Sequence, residues 1–141
     1  MVAVTIFDGL SDLNWLAVLV AALAWFVYSA IYYSIPPISK AWQRASRIPE
    51  QQGMPLPPIL VMTLVLYFIT SIVVGLLVAA TGTHDVGPGI ALGVALGVGF
   101  GVVSGLISQL YEQKGGSYWL INGFNSIVSL SIVATILAVW D

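Results

Sequence analysis

The chain has 141 residues, of which 59% are hydrophobic and 7% charged. A soluble domain carries about 25% charged residues, so a water-exposed surface is excluded and the chain reads as one integral membrane unit. There is no cysteine and the formal net charge is −2, which excludes disulfides, thiolate metal sites, cysteine nucleophiles and a basic patch for nucleic acid.

Residues 13–33, 59–80, 89–110 and 118–139 each supply the ~20 apolar residues that cross a bilayer core, and none of the four runs contains Asp, Glu, Lys, Arg or His. The expected fold is all-α: a single transmembrane domain in the form of a four-helix bundle. The stretch before the first span, MVAVTIFDGLSD, holds two acids and no Lys or Arg. A signal peptide begins basic, so the first span is expected to be a retained helix.

Between the first two spans, Pro36, Pro37, Pro49, Pro55, Pro57 and Pro58 stop one helix and delay the next. Within this loop, Ile38, Ala41, Trp42, Ala45 and Ile48 share one helical face, and Lys40, Arg44 and Arg47 share the other. That pattern predicts a short interfacial amphipathic helix lying in the headgroup plane and anchored by Trp42. Docking of a cytoplasmic partner is its alternative use.

The second span carries Ser71, Gly75 and Ala79 at four-residue spacing. The turn after it is short, so the second and third helices are expected to be antiparallel neighbours. Thr83 or Asp85 can cap the third helix, and Pro88 suits its first turn. His84, the only histidine, reads as a solvated loop residue, because one histidine beside one aspartate is too few ligands for a metal.

The third span reads GIALGVALGVGFGVVSG, with glycine at Gly89, Gly93, Gly97, Gly101 and Gly105. In water each interior glycine costs a helix about 1 kcal/mol relative to alanine. In lipid, helices associate through van der Waals contact, and small residues let backbones approach closely. The stripe is therefore expected to receive another helix. Its four-residue spacing drifts about 40° per step, which suits a right-handed crossing. Depth matches Gly89, Gly93 and Gly97 to Ser71, Gly75 and Ala79. Gly101 and Gly105 remain for another helix of the chain, a second protomer or a further membrane protein.

The fourth span brings Asn122, Asn125, Ser126 and Ser129 to one broad face near its start. Thr63 and Tyr67, Ser104 and Ser108, and Tyr28, Ser29, Tyr32 and Tyr33 fall at a similar depth on the other three helices. Asparagine in hydrocarbon is costly without partners. Either these groups join helices, at about 0.6 kcal/mol per contact, or they surround a pocket for a polar solute or lipid headgroup. The opposite halves of the helices look sealed, against a simple channel.

Lys40, Arg44, Arg47 and Lys114 all fall on one side of this topology. The positive-inside rule assigns that side to the cytoplasm and both termini to the outside of a cell membrane. No acid, base or histidine lies within a span, so neither general acid–base chemistry nor a Ser–His nucleophile is expected, and proton-coupled transport lacks its usual group. No enzyme activity and no cofactor is expected.

The run Asn14 to Ala22, with Tyr33-Ser34 and Lys40-Ala41-Trp42, resembles the small membrane proteins catalogued as domain of unknown function 1761. Ile121-Asn122, Val128-Ser129-Leu130 and Trp140 are similar to the same family. The resemblance implies a four-helix, mostly prokaryotic membrane protein. Ile35 interrupts the family's aromatic-Ser-Pro motif here, and Asn125 and Ser126 stand where many relatives carry an aromatic–histidine pair. The expected role is a non-catalytic, helix-packing accessory protein in the bilayer, associating with itself or with a larger membrane complex. The alternative is a small-solute or lipid binder or transporter that uses the polar cluster, its ligand not specified by the sequence.

Overall fold

The computed structural model describes residues 5–46, 57–113 and 116–140. Among these residues there is no strand. Four helices are long and apolar enough to cross a bilayer: Trp15–Ser34 (α1), Pro57–Thr81 (α3), the continuous span Val86–Glu112, and Gly116–Val139 (α6). A shorter helix, Pro36–Ser46 (α2), follows α1. The third span is composite: α4 (Val86–Leu96), a π-helical segment (Gly97–Val102) and α5 (Val103–Glu112).

Local chemistry sets the helix ends. The Asn14 side chain accepts the Ala17 N–H at 3.1 Å and starts α1. Ile35, extended ahead of Pro36, ends it. Pro57 and Pro58 occupy the first turn of α3, where no N–H is needed. Gly82, at φ +63°, closes α3: its N–H donates to Ala79 O (3.3 Å) and the Thr83 N–H to Val78 O (3.0 Å). The expected cap of the third span does not form. Thr83 is buried and pairs with the Thr81 hydroxyl at 2.6 Å, and Asp85, at φ 73°, makes no capping bond.

Helix α6 is the axis of the bundle. Leu130, Val133, Ala134, Leu137 and Ala138 on α6 form one core with Ala17, Val18 and Ala21 of α1 and Val74 and Val78 of α3. A 3₁₀ segment, Ile6–Asp12, packs across the far end of α3, where Gly9 lies against Leu76 and Ala79. In α2, Ala45 is buried, Ile38, Ala41 and Trp42 are half-buried, and Lys40 and Arg44 are exposed. Arg47, Ile48, Pro49, Pro55 and Lys114 lie outside the described residues.

The glycine stripe does receive a backbone, but α6 supplies it instead of α3. A Cβ on Gly89 would stand 2.9 Å from Thr135 Cα, one on Gly93 2.3 Å from Ser131 Cα, and one on Gly97 2.6 Å from Ile127 Cα. The predicted pairing with Ser71, Gly75 and Ala79 is thereby overturned. Leu13 already fills the space over Gly75, its Cδ1 2.8 Å from where a Cβ would be. Ser71 is fully buried, and exposed Ala79 lies beside Gly9. The face of α6 toward the stripe carries Ser126, Ser131, Thr135 and Ala138, small enough for the backbones to meet.

Candidate functional site

The three approaches to α6 backbone keep one antiparallel register: Gly89 with Thr135, Gly93 with Ser131, Gly97 with Ile127. Continued, it would put Gly101 over Gly123. The π-helical segment intervenes, marked by the Val103 N–H donating to Val98 O. A π turn takes more residues per turn than an α turn, so it rotates α5 relative to α4. Gly101 instead faces Ser126, whose Cβ lies 2.5 Å from a Cβ built there, and Val102 fills the space over Gly123 with its Cγ2 3.3 Å from the corresponding position. Gly105 meets nothing within 4 Å. The third span and α6 part at this point.

A pocket of about 140 Å³ opens where they part. Gly101, Gly105, Ser108, Gln109 and Glu112 form the wall on the third span, and Tyr118, Trp119, Asn122 and Gly123 form the wall on α6. Glu112 is the one charged side chain among these described residues. Trp119 is held in place by its Nε1–H, which donates to Val102 O at 3.1 Å. The Tyr118 ring stacks on Trp42 of α2 with centroids 6.0 Å apart, and Trp42 meets Tyr33 edge-on at 6.3 Å.

Behind the pocket, α1 is strapped to α6. The Tyr33 hydroxyl donates to Asn122 Oδ1 at 2.6 Å, and the Tyr32 hydroxyl to Ile121 O at 2.9 Å. One turn deeper, Asn125 Oδ1 accepts from Ser29 Oγ at 3.5 Å and Ser129 Oγ at 3.4 Å. Ser126 Oγ donates to Asn122 O at 3.1 Å. Asn122 therefore belongs both to this row and to the pocket wall.

The polar residues of the other helices do not join the row. Thr63 Oγ1 donates to Ile59 O of its own helix at 2.7 Å. Tyr67 lies flat on Trp25, centroids 4.0 Å apart, as an aromatic contact between α3 and α1. Tyr28 stacks on Tyr32 at 5.8 Å, and Ser104 is exposed. The predicted four-helix convergence is thus a two-helix row, because aromatic rings fill the α1–α3 contact at this depth.

Sequence reasoning passed over Gln109, Glu112, Tyr118 and Trp119 as site residues. A signal was present: Gly101, Gly105, Ser108 or Gln109, and Glu112 succeed one another at helical spacing. The glycine stripe runs on into a polar stripe on the same face.

The family model described as a protein of unknown function, DUF1761, matches residues 16–138. The chain belongs to this family. The DUF1761 match covers most or all of each span and both walls of the pocket, as the resemblance in the first and last helices implied, and leaves the 3₁₀ segment outside. No curated protein and no solved structure matches the chain.

Proposed function

We propose that this DUF1761 protein is a non-catalytic membrane binding protein that holds a small polar molecule or a lipid headgroup between α5 and α6. The single observation that carries this reading is Gly105: the stripe that elsewhere brings backbones into contact here lines an open pocket with polar groups on its wall. Gly105 leaves room on its wall, and Asn122 and Ser108 offer hydrogen-bonding groups. The end of the bundle bearing Lys40 and Arg44 faces the cytoplasm, both termini face outward, and the protein resides in a prokaryotic plasma membrane. On that placement α2 lies at the inner interface and the pocket opens in the inner leaflet.

A second reading, association with another protomer or a larger complex, is supported by the third span, the least enclosed of the four. Gly99 also has open space around it, beside the exposed ring of Phe100. Four of the five stripe glycines are already occupied within the chain, so this reading depends on the span's outer face.

Gly105→Leu separates the two. It fills the pocket at a position where nothing opposes a side chain, so folding is spared. Native mass measurement in mild detergent should show a small bound species on the wild type and its loss from the variant, with the number of protomers unchanged. Equal retention by both proteins refutes the pocket reading, and a change in protomer number favours the second.

A further inference from the structure

We infer that the ligand of this pocket carries an ammonium group, bound against the Glu112 carboxylate and the rings of Tyr118 and Trp119, a conclusion that rests on the pocket reading above.

Among the described lining residues the one charged group is a carboxylate. A ligand with negative charge alone would meet repulsion from that carboxylate, and a neutral solute would make no use of its charge. A cation gains a charge-assisted contact with Glu112 and the negative faces of two aromatic rings. Trp119 has committed its one donor, Nε1–H, to Val102 O. What it offers a ligand is therefore its π surface, and its orientation is fixed before binding.

The remaining polar groups favour an oxygen-bearing partner deeper in the pocket. Asn122 Oδ1 is occupied by the Tyr33 hydroxyl, which leaves the Asn122 amide hydrogens as donors on the pocket wall. Ser108 lies one turn inward from Glu112 on the same helix, a rise of about 6 Å. The wall thus runs from carboxylate and rings at the helix end to hydroxyl and amide within. That order matches a molecule with an ammonium group at its outer end and phosphate or hydroxyl oxygens one short linker away. Two sources have this chemistry: the headgroup of an aminophospholipid, and a free phosphorylated amine such as phosphoethanolamine.

The test is thermal unfolding of the intact protein in neutral detergent, titrated with three probes: an ethanolamine-headgroup phospholipid, a glycerol-headgroup phospholipid and free phosphoethanolamine. The ethanolamine lipid should raise the Tm of the wild type and the glycerol lipid should not. Glu112→Gln keeps shape and removes charge at an exposed position, and should weaken the ethanolamine response about tenfold. A response to free phosphoethanolamine as well supports the ammonium site and makes its source a solute, whereas a response to the lipid alone supports it with the bilayer as source. Equal or stronger stabilisation by the glycerol lipid, or an unaltered titration of Glu112→Gln, overturns the inference. If a glycerol-lipid response is abolished by Gly105→Leu, the ammonium assignment fails and the pocket reading stands. Silence from all three probes also overturns the assignment, and the species retained on the wild type but not on Gly105→Leu then decides the pocket reading separately.

Discussion

Gly93→Ala adds one methyl group where an ideal Cβ would stand 2.3 Å from Ser131 Cα and 2.6 Å from both Leu130 O and Ser131 N. Ordinary contact begins near 3.4 Å, so α4 and α6 must separate by about 1 Å. The obstructing atoms are backbone on both sides, and no side-chain rotation relieves them. A gap of 0.5–1 Å already forfeits roughly a quarter to a half of each dispersion contact. In lipid no hydrophobic term between helices replaces that loss. Overpacking costs about 1–3 kcal/mol, and this substitution belongs at the upper end, near 3 kcal/mol. Gly105→Ala is the matched control, because a Cβ there meets nothing within 4 Å. Relief of glycine's helix penalty should stabilise that variant by up to about 1 kcal/mol. Unfolding both variants by titrating dodecyl sulfate into neutral-detergent micelles, followed by circular dichroism, should separate them by about 3–4 kcal/mol. Equal midpoints would refute the claim that α4 and α6 are in backbone contact.

Two further substitutions probe local features by the same titration. Asp85 holds a positive φ of 73° and makes no capping bond, so Asp85→Gly should raise stability by up to about 1 kcal/mol; a loss instead would show that the carboxylate has a stabilising partner. Asn125→Leu removes the acceptor shared by Ser29 and Ser129 and should cost about 1 kcal/mol, at roughly 0.6 kcal/mol per bond. In a cycle with Ser29→Ala the two effects should couple, and strict additivity would mean that this bond contributes nothing.

The spans were legible because nothing but a bilayer tolerates four long runs without a charge, and the Asn14 cap and the Pro36 stop are local chemistry. Helix partners were not legible. Small residues at four-residue spacing recur along the chain, and Ser71, Gly75, Ala79 looked as suitable as the serine and threonine row of α6. Leu13 decided between them by filling the groove over Gly75 from outside the predicted contact. The polar row was readable on α1 and α6, where Asn122 and Asn125 demand partners. On α3 it failed because Tyr67 has two uses, and the Trp25 face next to it favoured stacking over a hydrogen bond. The π segment had no signal of its own, since GVGFGV is as compatible with i→i+4 bonding as its neighbours are.

That segment ties the packing to the pocket. Had the third span stayed α-helical throughout, the four-residue register shared with α6 would have carried Gly101 onto Gly123, and contact would have continued toward Gly105. Two glycines face to face would have closed the helices most tightly where the structure leaves room. The π turn instead directs Val102 at Gly123 as a spacer and exposes its carbonyl to Trp119. One rotation thus parts the helices, positions an indole ring on the new wall and frees Gly105 from any neighbour. Gly89, Gly93 and Gly97 are small where a backbone approaches them; Gly105 has no backbone near it and lines open space instead of a helix contact.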